Sequence, residues 1–257
     1  MRKRRSVGAR SDRGTWVRIA ARPLAKIAAQ GQVGNGMEAA ALLHDVAKPE
    51  WYRALSWHDR ADGVVWRADE VELVTAVPVH RGALPSDVSL PDAWWAALNA
   101  SLDAVAGQCT TRIATPDTEV INRTLIEREV DQAFPGQVDC TITDLWVPAH
   151  ADLNWSNLTG PEFWILEDHG MAPRGLDAAN LWVSSLTVPK LAPRVYRERR
   201  ADLETRPGKL MALFCCAKIL NDSWATGTLR EETTRATDKL LADRTVVDHA
   251  GARPAAR

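Results

Sequence analysis

The first eighty residues contain short stretches in which apolar and polar side chains alternate, separated by turn-forming residues. Alternation of this kind predicts half-buried β-strands, because successive side chains of a strand point to opposite faces of a sheet. Four stretches fit this pattern: residues 4–9, 15–21, 51–58 and 64–75. Between the second and the third, the segment that begins at Met37 is rich in strong helix formers. The pattern therefore predicts a small antiparallel sheet with one helix.

From Pro91 onward the apolar residues recur every three or four positions, which is the period of an amphipathic helix. Proline and glycine at the ends of several runs mark where the helices begin and end. The predicted helices are residues 91–106, 115–134, 178–186, 192–204, 209–220 and 229–243. Two short apolar runs, 140–146 and 163–166, predict strands within this helical half. The two halves together predict the α+β class.

The composition is that of an ordinary globular protein, with 46% hydrophobic and 25% charged residues. A formal net charge of −1 gives no overall field that would attract nucleic acid or a membrane surface. No apolar run approaches the ~20 residues that a membrane span needs. The four cysteines lack a metal-binding spacing and are expected to be buried thiols in a reducing compartment. We therefore expect a cytoplasmic protein without a nucleic-acid or membrane partner.

The chain is rich in tryptophan, with 11 residues of this type among 257. Trp155, Trp182 and Trp224 are placed where they could line a binding pocket. Because tryptophan usually fills volume in a core, we expect a core role for each of the three.

The densest group of chemically capable side chains lies within residues 147–177. His150, Asp152 and Asn157 follow one another with the spacing H-x-D-x-x-x-x-N, and Asp168 begins a D-x-G sequence after an apolar run. We expect these groups on a loop and at a strand end, where reacting groups are commonly presented. Carboxylate and amide oxygens are also the ligands that Mg²⁺ prefers in proteins.

This spacing resembles that of the phosphotransferases of the aminoglycoside and choline-kinase type, which share the protein-kinase-like fold. The resemblance implies that Asp152 accepts or orients the acceptor hydroxyl, and that His150 is a structural member of the same catalytic loop. Asn157 and Asp168 match the residues that hold magnesium in the family. Asp177 is similar to the buried aspartate that ties the family's loop to the following helix.

Two features depart from the family pattern. Ala151 stands where relatives usually have glycine. Glu167 directly precedes Asp168, and the short loop after Asn157 would align Glu167 with the metal carboxylate instead. Both carboxylates therefore stay candidates for the metal, with the D-x-G match favouring Asp168.

The resemblance also assigns roles in the first half of the chain. Arg18 falls where the family carries a basic residue that reaches the nucleotide phosphates, and Glu38 is expected to pair with it. Val77 and Val79 fall in the expected hinge, where the family binds adenine through backbone groups. The family's first strand and glycine-rich loop should precede the first hairpin. Either they are missing, or Gly8 and the turn at residues 11–14 take over the covering role.

The resemblance implies a protein-kinase-like fold of two lobes: a small antiparallel-sheet lobe, whose first strand is either present or missing, and a helical lobe. The expected division is 1–79 for the nucleotide-binding lobe and its hinge, 80–244 for the catalytic and acceptor-binding lobe, and 245–257 for a disordered tail.

The expected reaction is magnesium-dependent transfer of the γ-phosphoryl group of ATP or GTP to a hydroxyl group of a small molecule. An aminoglycoside-like antibiotic, an amino alcohol and a sugar are all admissible acceptors. A non-catalytic relative that binds a nucleotide or another ligand is the alternative. A third hypothesis, a metal phosphohydrolase, rests on the doublet His44-Asp45, but no histidine precedes His44, and the doublet is better explained as a helix end.

Overall fold

The computed structural model describes residues 2–3, 6–32, 34–80, 88–116, 119–142, 145–160 and 167–243. Within these ranges the chain has the predicted α+β class, with an antiparallel sheet in the first part and helices in the second. The predicted strand at 163–166 and the predicted tail at 245–257 lie outside the described residues. In the described part of the chain, no helix has the length and apolar character needed to cross a membrane.

Five strands form the first sheet in the order β1-β2-β3-β5-β4, and each neighbouring pair is antiparallel. Their bounds are β1 Arg2–Lys3, β2 Ser6–Arg10, β3 Trp16–Pro23, β4 Trp51–Asp59 and β5 Val64–Val71. The four predicted strands are confirmed as β2 to β5, with small shifts at their ends. The short β1 pairs with β2 and supplies the first strand that the sequence pattern left open.

Two short helices follow β3. Helix α1 spans Leu24–Gln30, where the pattern predicts none, and α2 spans Gly36–Ala40. The helix predicted at Met37 is thus confirmed, but it has only 5 residues. His44 and Asp45 lie in an exposed turn after α2, and Asp45 has a φ of +58°. The doublet therefore follows a helix end, as expected.

The second part of the chain is mainly helical. Its helices are α3 Asp92–Ala106, α4 Arg123–Ala133, α5 Leu176–Val183, α6 Leu191–Glu198, α7 Arg200–Leu203, α8 Arg206–Asn221 and α9 Gly227–Leu241. Between α4 and α5 lies a two-stranded hairpin formed by β6, Trp146–Ala149, and β7, Gly170–Pro173. Helix α8 is the centre of one buried cluster and packs against α4, α5 and α9. A second cluster joins α3 and α5 to the loop that follows β6.

Two boundaries predicted in this part are wrong. The helix expected from residue 115 begins at Arg123, where the Oδ1 of Asn122 accepts the N–H of Leu125 (2.8 Å) and caps the helix. Thr115 instead donates its N–H and its hydroxyl to Asp168, at 3.0 and 2.7 Å, and so stays outside the helix. The strand expected at 140–146 is displaced to β6, because residues 146–149 are the ones that pair with β7.

The predicted burial of the tryptophans and cysteines is confirmed in part. Trp155 is 3% exposed and belongs to the core, whereas Trp224 is 65% exposed and does not. Trp182 is partly buried and packs against both clusters. Three cysteines are buried as expected, but Cys109 is exposed.

Candidate active site

The β6–β7 hairpin brings the two halves of the polar motif together. Ala149 lies opposite Gly170 in the antiparallel pair, so the end of β6 is beside the start of β7. His150 follows β6 directly, Asp152 comes two residues later, and Asp168 lies two positions before the first residue of β7. The loop and the D-x-G sequence therefore lie side by side, although they are separated along the chain.

Asp177, in the first turn of α5, holds the loop from behind. Its Oδ2 accepts the N–H of His150 (2.7 Å) and its Oδ1 accepts the N–H of Ala151 (2.9 Å). Burial raises the pKa of Asp177 to about 6, against the lowering effect of these two N–H groups. The predicted tie between the loop and the following helix is confirmed.

His150 is a buried, neutral member of this loop. Burial, together with the nearby His169, lowers its pKa to about 3. Its Nδ1 accepts the N–H of Asp152 (3.2 Å), so the neutral imidazole carries its proton on Nε2. This contact turns the backbone at Asp152 and supports the structural role that the sequence predicts for His150.

Ala151 occupies a backbone conformation that favours glycine. Its φ is +72° and its residue surface is 2% exposed. A Cβ in this left-handed region meets the following carbonyl group at a cost of about 1–2 kcal/mol. The glycine that the resemblance leads us to expect here suits the turn between His150 and Asp152, which this chain makes with alanine instead.

We expect the substitutions Ala151→Gly and Ala151→Val to have very different effects on stability. Glycine relieves the strain but removes a buried methyl group worth about 0.8 kcal/mol, so the free energy of unfolding should change by less than about 1 kcal/mol. Valine adds a β-branch at positive φ and overfills a closed site, and should cost more than about 2 kcal/mol. Urea unfolding checks both values. Equal stability of the two variants would contradict the left-handed geometry.

The carboxylate of Asp152 is oriented by two asparagines of the same loop. Asn154 Nδ2 donates to Oδ1 (3.0 Å), and Asn157 Nδ2 donates both to Oδ2 and to the Asp152 carbonyl oxygen (2.8 Å each). Asn154 is itself fixed, because its Oδ1 accepts the N–H of Ser156 (3.0 Å). The structure thus brings Asp152 and Asn157 into direct contact.

Trp155 anchors the middle of the loop in the core. Its ring stacks on Trp94 and meets Trp95 edge-on, at centroid distances of 6.0 and 6.1 Å. Its Nε1 donates to the hydroxyl of Ser185 (3.0 Å), which lies after α5. The polar residues on both sides of Trp155 are therefore held by a buried aromatic contact with α3.

Asp168 is a carboxylate whose pKa is raised by its surroundings, which include Asp152. Burial raises its pKa to about 6, and the negative charges of Glu167 and Asp152 act in the same direction, whereas the Thr115 hydroxyl opposes them. The influence of Asp152 shows that the two aspartates lie within electrostatic range. A group that binds a cation is expected to have such surroundings, because the cation would relieve the repulsion.

We expect Asp168→Asn to stabilise the metal-free protein at neutral pH. The folded-state pKa of about 6 lies above the ordinary value of 3.8, so the contribution of Asp168 to stability is full below that ordinary value and is lost as the pH rises through about 6. Asparagine carries no charge to bury. The gain in the free energy of unfolding should be about 3 kcal/mol at pH 7.5 and should fall below about 1 kcal/mol near pH 4.

Urea unfolding in the presence of EDTA at the two pH values measures this difference. Asp131→Asn, at an exposed position of α4, is the matched control and should change stability little at either pH. A gain for Asp168→Asn that does not depend on pH would contradict the raised pKa of Asp168.

Glu167 is bound by two arginines of β3. Its Oε2 pairs with Arg18 Nη1, and its Oε1 pairs with Arg22 Nη2 at 2.5 Å. The predicted pair between Arg18 and Glu38 is wrong, because Glu38 accepts instead from Arg67 Nη2 (3.1 Å) on β5. In the antiparallel pair of β3 and β5, Arg67 lies opposite Ala20. From this position its side chain reaches Glu38 on α2.

A segment beside β7, residues 112–115, was not recognised from the sequence. Ile113 forms a parallel bridge with Met171, and a Cβ on Gly170 would lie 2.5 Å from the backbone of Ile113. The glycine of D-x-G is therefore required by a close backbone approach. Arg112 donates to the carbonyl oxygens of Glu167 and His169, at 3.3 and 3.2 Å. Arg112 and Thr115 belong to no functional motif. The sequence alone therefore does not indicate that they lie beside Glu167 and Asp168.

The predicted hinge residues lie close to the loop. The N–H of Val79 donates to the carbonyl oxygen of Leu158 (2.7 Å), and the N–H of His80 donates to that of Trp155 (3.2 Å). Val77 is 76% exposed. The segment thus joins the sheet to the loop through its backbone, and the N–H of Val79 is already engaged in this contact.

The donor set at the loop fits a hard cation. Since Nδ2 of Asn157 is directed at Asp152, its Oδ1 is the atom suited to a metal, and Asp168 adds a carboxylate. Within the described ranges, no group of three or more His, Cys, Asp or Glu side chains is arranged to hold a metal. A site of one amide and one or two carboxylates fits magnesium, which keeps waters and phosphate oxygens as its other ligands.

Comparisons with known proteins bear on the fold. No family model and no curated protein sequence matches the chain. The crystal structure of a thermostable mutant of aminoglycoside phosphotransferase APH(4)-Ia, apo form, is similar with a TM-score of 0.56 at 12% identity, covering 92% of this chain and 90% of that one.

Two further solved structures give lower scores. Aminoglycoside phosphotransferase APH(3'')-Id from Streptomyces rimosus has a TM-score of 0.45 at 12% identity, over 81% of this chain and 88% of that one. WaaP in complex with acyl carrier protein has a TM-score of 0.38 at 14% identity, over 93% and 87%. Neither score is high enough to support an argument. On the first similarity and the observed sheet and helices, the chain has the protein-kinase-like fold of the aminoglycoside phosphotransferases.

Proposed function

We propose that the chain is a phosphotransferase that moves the γ-phosphoryl group of ATP or GTP to a hydroxyl group of a small molecule, with magnesium. The observation that carries the proposal is the contact of Asp152 with Asn157 beside the carboxylate of Asp168. Phosphoryl transfer requires mainly positioning and charge neutralisation, and these three side chains offer both.

In this proposal Asp152 accepts or orients the proton of the acceptor hydroxyl. Asn154 and Asn157 hold its two carboxylate oxygens, so the group is oriented before substrate arrives. Asn157 and Asp168 would hold magnesium, which neutralises phosphate charge when bound. His150 acts on the loop rather than on substrate, since its Nδ1 is directed at the backbone.

The nucleotide is assigned to the sheet side of this loop. Arg18 on β3 supplies positive charge next to the D-x-G sequence through its contact with Glu167. Residues 1–79 would form the nucleotide-binding lobe and residues 80–244 the catalytic and acceptor-binding lobe, with Val77 and Val79 at the hinge. Glu38 supports the sheet through Arg67 in this scheme.

The acceptor is a small molecule with a hydroxyl group. The similar structure is that of an aminoglycoside phosphotransferase by name, so aminoglycosides are the first class to test, followed by amino alcohols and sugars. The non-catalytic alternative has one observation in its favour, because the Arg18 guanidinium is already engaged by Glu167.

The test combines nucleotide binding with phosphoryl transfer. Calorimetry with ADP and GDP should give binding that magnesium tightens, and Asn157→Ala should remove the effect of magnesium. Transfer of labelled γ-phosphate from ATP and GTP is then measured over the three acceptor classes. Absence of any magnesium-dependent nucleotide binding would contradict the proposal. Binding without transfer or phosphate release would favour the non-catalytic alternative.

A further inference from the structure

The two arginines that bind Glu167 form a concave group of donors on one strand. Arg18 and Arg22 are four residues apart on β3, so both side chains leave the same face of the sheet. Their side chains are 27% and 19% exposed, while that of Glu167 is 10% exposed. Burial alone would raise the pKa of Glu167, but the charges of Arg18 and Arg22 outweigh it, and the pKa is lowered. Glu167 is therefore an anion held between two cations.

Arg112 adds a third positive charge to the same place. Its Nη2 donates to the Glu167 carbonyl oxygen (3.3 Å), and its Nη1 donates to the side-chain oxygen of Asn35 (2.8 Å). These partners are neutral. Burial lowers the pKa of Arg112, and the positive charge of Arg22 lowers it further. Three guanidinium groups thus contact Glu167, two through its carboxylate and one through its carbonyl oxygen.

The chain also passes unusually close to this group. A Cβ on Gly34 would lie 2.7 Å from Arg22 Nε, and a Cβ on Gly36 would lie 1.8 Å from the Glu167 carbonyl oxygen. Only glycine permits such an approach. The backbone at Gly34 and Gly36 is therefore packed directly against Arg22 and Glu167, which fixes the position of both.

A carboxylate and a phosphate group present the same pair of oxygens to an arginine, but a phosphate carries more charge. We propose that Arg18, Arg22 and Arg112 form the binding site for the donor phosphates, and that Glu167 is an internal counter-ion that a phosphate group displaces. This inference rests on the proposed function and deepens it. It adds Arg22 and Arg112 to Arg18 as phosphate-binding residues. It also makes Glu167 a competitor of the phosphate group rather than a metal ligand.

The experiment measures binding by calorimetry, in EDTA and again in magnesium, with ADP, inorganic tripolyphosphate and adenosine as separate probes. In EDTA, Glu167→Gln should bind ADP and tripolyphosphate about tenfold more tightly than the unchanged protein, since the amide no longer competes. Arg22→Gln and Arg112→Gln should each bind both about tenfold more weakly. Adenosine should bind equally to all variants. Effects on ADP but not on tripolyphosphate would overturn the assignment to phosphate.

Arg53→Gln is the matched control, because Arg53 lies on β4 of the same sheet and pairs with a single glutamate, Glu70. It should leave all affinities unchanged. If Glu167→Gln leaves the metal-free affinity unchanged and lowers it only in magnesium, Glu167 is a metal ligand and the proposal is wrong. Melting curves check that each variant folds. Should Glu167→Gln fail to fold, Glu167→Asp shortens the same contact and should also strengthen metal-free binding.

These outcomes are separate from those of the proposed function. Binding is measured without turnover, so an Asp152→Ala background should preserve the effect of Glu167→Gln. A protein that transfers no phosphate but shows the competition would refute the phosphotransferase and leave the phosphate site standing. An active enzyme in which Glu167→Gln does not change phosphate binding would support the phosphotransferase and refute the phosphate site.

Discussion

Replacing Asp152 by alanine is expected to lower phosphoryl transfer by about 10²- to 10⁴-fold, the usual contribution of a positioned acid–base group. The carboxylate is held in one orientation by side-chain hydrogen bonds from Asn154 and Asn157. Initial rates with labelled ATP and the best acceptor of the panel give the measurement. Nucleotide affinity should change little, because Asp152 acts on the acceptor side.

Asp92→Asn is the control for this change, since Asp92 is 90% exposed at its side chain and lies at the start of α3. It should keep full activity. Asp152→Asn should resemble the alanine variant, because an amide cannot take a proton and would direct its NH₂ group at one of the two asparagines. Transfer that survives above a tenth of the original rate would exclude Asp152 from the catalytic step.

Replacing Asp177 by alanine is expected to cost about 3–5 kcal/mol of stability. The carboxylate accepts two N–H groups of the loop, at His150 and Ala151, and its removal leaves both buried donors without their acceptor. Each such donor costs about 1–3 kcal/mol, and a small cavity adds to the loss. Urea unfolding at pH 7.5 measures the free energy of unfolding.

Two further variants test this expectation, one by a milder substitution and one as a control. Asp177→Asn keeps one acceptor oxygen and gives up the second, so it should lose less stability than Asp177→Ala. Asp12→Ala, in the exposed turn between β2 and β3, should change stability by less than about 0.5 kcal/mol. A cost below about 1 kcal/mol for Asp177→Ala would mean that α5 does not hold the loop.

The position of the polar loop was predictable from the sequence, because its side chains are close along the chain and follow the spacing H-x-D-x-x-x-x-N. Asp152, Asn154 and Asn157 meet within six residues, and a short loop brings such side chains together in many backbone conformations. The position of Asp177 could be inferred only through the family resemblance, yet the structure confirms its role.

Contacts that depend on strand register or on distant segments could not be predicted in this way. Glu38 pairs with Arg67 rather than Arg18 because the pairing of β3 with β5 places Arg67 toward α2. Thr115 carries the features of a helix start, but its bonds to Asp168, 53 residues further along, decide its conformation. Local propensity is a weak guide wherever such long-range bonds compete with it.

The buried stacking of Trp155 has an evolutionary consequence. Asp152 is three residues from Trp155, whose ring is fixed in a buried cluster to which α3, α5 and α6 contribute, whereas α9 contributes no residue to that cluster in the described part of the chain. Substitutions in α9 should therefore leave the conformation of the loop around Asp152 unchanged. Under the proposed function, a scaffold organised like this can acquire new acceptors without having to rebuild the loop around Asp152.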